Sequence, residues 1–387
     1  MNIANTVKSA RCALGRRWRE GARYGAWATV AAALVAAFCA APIVQAGPLR
    51  PGEILVADGG FEDLADGAIF RVDPVTGERA IISGRGFGSG PELFNPLGIT
   101  LGADRQIYVT DTVFDEHWEG TSFVYRIDPV SGHRVEVSGP NSGSGPGLGE
   151  RTYGITLSTA GSLYVATSQP DLAGPLEDGA VFLIDLATGD RSVITGPATG
   201  QGPILRHAVG VRVDLDGSLL VLSSALTRVD PATGDRTSIR PPETFVGATD
   251  GAVRDHTAVF VADFFGATIY NISYDSVFQQ IVSGPTLFDG IRGDGPAVFP
   301  FSIEFDGRSE IIGYGSIGPG TIVGGVFRVD VATGDRTVIS GAGVGIGPEF
   351  INVGYMTIVP VPEPGTLAGA LAGIAVLALR HWLRRQR

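Results

Sequence analysis

Apolar and polar residues alternate in short runs through most of the chain, from about residue 52 to residue 359. A period of two is that of a strand with distinct faces. One unit recurs: FRVDPVTGERAIISG at 70–84, YRIDPVSGHRVEVSG at 125–139, FLIDLATGDRSVITG at 182–196, TRVDPATGDRTSIR at 227–240 and FRVDVATGDRTVISG at 327–341. A degraded copy, YNISYDSVFQQIVSG, fits at 270–284. Each copy alternates into an Asp-Pro-x-Thr-Gly turn or a variant of it, then alternates out again. Proline presets φ, aspartate caps the turn through its side chain, and glycine takes the left-handed position. The unit therefore predicts a β-hairpin. Its Asp and Arg recur once per copy, which argues for turn structure and surface salt bridges over catalysis.

Two further strands precede each hairpin. One is seen in NPLGITL (95–101), TYGITL (152–157), AVGVRV (208–213), TDGAVR (249–254) and FSIEF (301–305). The other is seen in ILVAD (54–58), QIYVTD (106–111), SLYVAT (162–167), SLLVLS (218–223) and AVFVAD (258–263). Matching hairpin positions, Asp73, Asp128, Asp185, Asp230, Ser273 and Asp330, lie 55, 57, 45, 43 and 57 residues apart. Periods near 50 built from strands indicate propeller blades. Gly-x-Gly-Pro at 88–91, 143–146, 200–203, 293–296 and 345–348 punctuates the passages between blades. The first blade lacks a first strand, and INVGYMTIV at 351–359 is suited to supply it. The expected fold is all-β: a six-bladed β-propeller over 47–360, its ring closed by a C-terminal strand so that no edge stays open. The loops joining second to third strands should share a face with the passages between blades, with the Asp-x-x-Thr-Gly turns opposite. The strand and hairpin motifs together resemble NHL-type and gluconolactonase-like propellers, over essentially all of 50–360. That resemblance is specific for fold and weak for function.

The two ends follow different rules. Lys8, Arg11, Arg16, Arg17, Arg19 and Arg23 precede an alanine-rich apolar stretch at 26–41, and Val44-Gln45-Ala46 offers a cleavage site before Gly47. Residues 1–46 thus read as a signal peptide, which implies export and a signal peptidase. Both cysteines, Cys12 and Cys39, lie in this segment, so thiol chemistry is excluded from the body. At the other end come Pro362-Glu363-Pro364, an apolar segment at 365–379 and a basic tail at 380–387 with Arg380, Arg384, Arg385 and Arg387. This order resembles the PEP-CTERM sorting signal of bacterial envelope proteins. The resemblance implies an exosortase as partner and a cell-envelope or extracellular destination. The apolar segment is shorter than the roughly 20 residues of a comfortable helical span, which suits a sorting helix inserted transiently in the inner membrane. The ends carry +5 and +3 of a chain whose net charge is −11, leaving the body at −19. So acidic a body argues against nucleic acid as a partner.

Candidate chemistry lies in two places. Asp111, Asp115, Glu116 and Glu119, with His117, form the densest acidic loop, and oxygen ligands of this kind suit Ca²⁺. Strand alternation also directs Asn95 and Leu97, Arg151 and Tyr153, His207 and Val209, Ala248 and Asp250, Phe299 and Phe301, and Ile351 and Val353 toward the central channel. One side of the channel mouth should therefore be polar, through Asn95, Arg151, Tyr153, His207 and Asp250. A histidine, an arginine and a carboxylate converging there could bind an anion or act as acid and base. Against the gluconolactonase pattern, Asp250 matches a metal-ligand position, but Val209 stands where an asparagine is required, and Glu53 is poorly placed. The expected function is a non-enzymatic binding propeller of the envelope or extracellular matrix, with extracellular polysaccharide as a candidate partner. The alternative is a lactonase-like or streptogramin-lyase-like enzyme using His207 and Asp250.

Overall fold

Every regular element among the described residues is a β-strand. The computed structural model describes residues 47–59, 66–169, 178–276, 279–285, 290–318, 324–341 and 343–361. The expected signal peptide, the Pro362-Glu363-Pro364 motif with its apolar segment and basic tail, and the tips of three long loops lie outside these residues.

Six sheets succeed one another along the chain. Blade one holds β1 (Ile54–Asp58), β2 (Ala68–Val72) and β3 (Arg79–Gly84). Blade two holds β4 (Pro96–Leu101), β5 (Ile107–Phe114), β6 (Gly120–Ile127) and β7 (Arg134–Ser138). Blade three holds β8 (Arg151–Leu157), β9 (Leu163–Gln169), β10 (Ala180–Ile184) and β11 (Arg191–Thr195). Blade four holds β12 (Gly210–Val213), β13 (Leu219–Leu222), β14 (Leu226–Val229) and β15 (Arg236–Arg240). Blade five holds β16 (Ala248–Asp255), β17 (Ala258–Asp263), β18 (Thr268–Ser273), β19 (Gln279–Pro285) and the two-residue β20 (Ile291–Arg292). Blade six holds β21 (Val298–Phe305), β22 (Glu310–Ile317), β23 (Gly324–Asp330) and β24 (Arg336–Ser340). The last strand, β25 (Met356–Ile358), pairs antiparallel with β1, matching Ile54 to Ile358 and Val56 to Met356. The ring closes as one strand plus three. The closing ladder is shorter than the predicted 351–359, because the amides of Ile351 and Asn352 bond the Asp58 carboxylate instead.

Among the described residues the core forms six apolar clusters, each a seam between neighbouring blades. Leu55 and Ile69 of blade one meet Ile99, Val109 and Ile127 of blade two. Val56 and Phe70, one residue along, meet Tyr314 and Val326 of blade six. Alternate side chains of one strand thus enter opposite seams, so both faces of each blade are covered. This is why ILVAD is buried at every position and reads as a nearly continuous apolar run. Each such Val, Leu or Phe contributes about 1.5–3 kcal/mol by leaving water.

The recurring arginines fasten these seams, and this corrects the expectation that they form surface salt bridges. Arg336, at the start of the outermost strand of blade six, donates to the carbonyls of Pro296, Arg292 and Gly293 and to Ser283 Oγ, at 2.7–3.0 Å. All of these acceptors belong to blade five or to the passage leaving it. Ser283 Oγ in turn donates to Gly334 O at 2.7 Å. Arg79, Arg134, Arg191 and Arg236 make equivalent contacts with Ser340, Ser83, Ser138 and Thr195. Arg79 thereby ties blade one to the passage leaving blade six, a second closure at the rim. The recurring aspartates behave as expected. Asp73 Oδ1, for example, accepts from the amides of Val75 and Thr76 at 2.8 and 2.9 Å.

The same contacts explain the Gly-x-Gly-Pro passages. Gly88 has φ +74°, and a Cβ there would stand 2.0 Å from Gly132 O in the turn of the next blade. Gly143, Gly200, Gly293 and Gly345 repeat both features. No other residue tolerates both the left-handed backbone and so close an approach. Turn and passage are therefore in contact at the rim, not segregated to opposite faces as the strand count alone suggested.

Candidate functional site

The innermost strands, β4, β8, β12, β16, β21 and β25, line the central channel. Four of them, β4, β8, β16 and β21, carry a register shift near the recurring position, as between Pro96 and Ile99 or between Ala248 and Asp250. A bulge adds a residue and re-aims the side chains beyond it. Strict alternation therefore does not by itself decide which side chains reach the channel.

Asn95, Leu97, Arg151, Tyr153, Phe301 and Val353 line one cavity of about 210 Å³ at the channel mouth, joined by Thr112, Phe114 and Asn352. Blades one, two, three and six contribute. The Arg151 guanidinium lies over the Phe114 ring, 5.4 Å from its centroid. Below the cavity the channel is blocked. The Tyr355 hydroxyl, from the closing segment, donates to Val209 O at 2.6 Å and lies 2.9 Å from Thr249 O, on blades four and five across the ring. Phe301 packs edge-on against Tyr355 with centroids 5.3 Å apart. Burial pushes the Tyr355 hydroxyl well above the ordinary phenol range, so it stays a donor.

The other two polar candidates do not join this cavity. His207 is exposed on the chain entering β12, in a left-handed conformation with φ 48°. Asp250 is buried on the far side of the block and saturated. It accepts from Arg212 Nε and Nη2 at 2.9 and 2.7 Å, from Ser302 Oγ at 2.7 Å and from the amides of Gly251 and Ile303. Arg212 also reaches Glu304 at 2.9 Å. Burial alone would lower the Arg212 pKa, but the carboxylates of Asp250 and Glu304 hold it above its ordinary value. Glu304 is raised by burial, with Arg212 pulling the other way. Arg212 and Glu304 border a second cavity of about 560 Å³ at the opposite mouth, together with Thr156, Tyr164 and Asp214. Position counting before the recurring glycine missed Arg212, Glu304 and Tyr355. The available signal was a pair of opposite charges within inner strands, in VRV and IEF.

The gluconolactonase-type ligand set is not assembled. A guanidinium occupies the space in front of Asp250, and Glu53 is paired with Arg71 at 2.5 Å in blade one. The acidic loop does not converge either. Asp111 is fully buried and accepts from the amides of Phe94 and Asn95 at 3.1 and 2.7 Å. Burial raises its pKa from 3.8 to about 6, against the pull of those amides. Asp58 and Asp263 clamp the start of their own blades in the same way. Asp115 Oδ1 caps its own turn through the amides of His117 and Glu119. Glu116 pairs loosely with His117 at 3.8 Å, both exposed. Among the described residues no three His, Cys, Asp or Glu side chains are grouped so as to hold a metal ion.

No protein-family model matches the chain, and no curated protein matches it in sequence. Its likeness to solved structures is extensive in length and low in identity. A chain of a nidogen/laminin complex superposes with a TM-score of 0.54 at 12% identity, over 79% of this chain and 98% of that one. A protein from Lactobacillus plantarum gives 0.47 at 14%, over 79% and 99%. Virginiamycin B lyase from Staphylococcus aureus gives 0.45 at 14%, over 75% and 87%. At such identities the likeness concerns architecture and assigns no chemistry. Sequence repeat and sheet order agree on the fold: the body is a six-bladed β-propeller.

Proposed function

We propose that this is an exported bacterial envelope or extracellular-matrix propeller that binds without catalysing, and that an exosortase processes its C-terminus. Residues 1–46 act as the signal peptide, 47–360 as the binding body and 361–387 as the sorting signal. One observation carries the binding reading. The channel is stopped by Tyr355, so its upper end is a cup in which Asn95, Arg151 and Tyr153 face Phe301 and Val353. The two residues best suited to acid–base work, His207 and Asp250, stand apart, and Asp250 is neutralised by Arg212. Acid–base catalysis needs its groups within hydrogen-bond reach of one substrate. A cup with one polar and one apolar wall and no such convergence suits recognition.

The test combines two measurements on the exported protein. A screen of glycans and lactones should yield saccharide binding without turnover. Lactone hydrolysis that disappears in His207→Ala or Asp250→Asn would replace the binding reading with the lactonase-like or lyase-like one. Substituting alanine for Pro362, Glu363 and Pro364 together should abolish processing and redistribute the protein between envelope and medium. An unchanged distribution would remove the sorting assignment and leave the binding assignment standing.

A further inference from the structure

We infer that the mouth cavity recognises a carboxylate-bearing sugar, specifically the terminal uronate of an acidic saccharide, with Arg151 as the anion-binding residue. This rests on the binding function proposed above and names its ligand class.

Arg151 is exposed at the start of β8 and lines the cavity. Among the described residues no carboxylate lies within ion-pair distance of it. Its contact is the face of Phe114. A ring beneath a guanidinium holds it by cation–π attraction and leaves the edge of the N–H fork open. That edge matches a carboxylate with two parallel hydrogen bonds. Asn95 and Tyr153 on the same wall offer an amide and a phenol, which suit ring hydroxyls.

The opposite wall has another character. Phe301 and Val353 line it. From Phe301 the aromatic surface continues outward through Phe264, with centroids 5.6 Å apart, to Phe265 at 5.3 Å and Phe299 at 6.2 Å. Phe265 is 71% exposed. The mouth thus has a cationic, hydrogen-bonding side and an aromatic side, as a sugar with one charged edge and one C–H face requires. Depth selects the end of a chain. The cavity holds about 210 Å³, and behind its wall residue Phe301 lies Tyr355, which bonds across the ring, so a saccharide can enter end-on and cannot thread. Charge selects in the same sense. The body carries −19, and a long polyanion would meet repulsion along its length, whereas one terminal carboxylate meets Arg151.

Titration calorimetry with the full-length protein would decide the matter, using a trisaccharide ending in glucuronate and the same trisaccharide ending in glucose. The wild type should prefer the uronate by about ten-fold or more, the scale of a charge-assisted hydrogen-bonded pair. Arg151→Gln should erase that preference, so that the two trisaccharides bind alike. Arg151→Lys should retain only part of it. Equal affinity of the wild type for both sugars, or an undiminished preference in Arg151→Gln with an unchanged melting temperature, would overturn the inference and leave a neutral-sugar binding function intact. Failure of the wild type to bind either trisaccharide would overturn the inference. Failure across the whole glycan screen would remove the binding function itself.

Discussion

Arg336→Ala tests the principle that holds the ring together. Arg336 is 8% exposed and makes four hydrogen bonds to blade five and the passage leaving it, at 2.7–3.0 Å. Its removal takes the donor from three carbonyls and from the Ser283 oxygen, all at a seam between blades. Hydrogen bonds to a charged group are worth about 1.5–3 kcal/mol each, but water entering at the rim will recover much of that. A net loss of about 3–5 kcal/mol follows, the worth of about two such bonds. For a body of this length, about 1.5 °C is lost per kcal/mol, so the melting temperature should fall by about 5–8 °C. Calorimetry and urea titration of wild type, Arg336→Ala and Arg336→Lys would measure it. Lysine reaches fewer of the acceptors and should recover less than half of the loss. The contacts are to neutral groups, so the loss should persist at 0.5 M salt, where an exposed ion pair would be screened. A loss below about 1 kcal/mol, or one that vanishes with salt, would refute the staple and restore the surface salt bridge.

Other outcomes follow from the same structure. Gly88→Ala sets a Cβ 2.0 Å from Gly132 O and should prevent docking of blades one and two, whereas Gly86→Ala, with φ +84° and nothing within 4 Å, should cost only the left-handed strain of about 1–2 kcal/mol; comparing soluble yield and urea midpoints of the two checks this. Tyr355→Phe removes the hydroxyl that bonds Val209 O and Thr249 O and should cost about 1–3 kcal/mol by urea titration. A pH series should show declining stability between about pH 4 and pH 6. Asp111 has a folded pKa raised from 3.8 to about 6, so its folded state favours the proton, its contribution is complete below pH 4, and about 3 kcal/mol is lost as pH rises through 6. Asp111→Asn should flatten that limb, and an unchanged slope would contradict it. Asp255, lowered to about 2 by its bonds from Thr257 and Arg254, contributes in the opposite sense, with stability lost as pH falls through 2. Truncation after residue 361 should leave the ring folded, because its last backbone bonds join Gly52 and Glu53 to Val359; circular dichroism melts of the truncated protein would reveal any loss.

Much of the architecture was legible because it repeats. Asp-Pro-x-Thr-Gly describes a turn by local chemistry, and Asp73, Asp128, Asp185 and Asp330 cap theirs through the same two amides. The missing first strand of blade one was legible too, since a closed ring needs a partner for β1. The destination of the recurring arginines was not. Arg336 is 40 residues from Pro296 in sequence, and three of its four acceptors are carbonyls, which leave no mark on composition. The acidic loop misled for a related reason. Asp111 and Asp115 are four residues apart, yet one is buried as a clamp and the other is exposed.

The sequence by itself determined the blades, their number and the order of their strands, because hairpin turns and strand alternation are local matters repeated six times. It also directed Asn95, Arg151 and Tyr153 to the channel, where they share one cavity, together with His207 and Asp250, which do not join it. Only the tertiary structure decided the rest of the channel. Bulges interrupt the alternation of four inner strands, Arg212 pairs with Asp250, and Tyr355 crosses from the closing segment to blades four and five. Each of these depends on residues brought together from distant parts of the chain, and a ring makes such meetings only when its last strand has paired with its first.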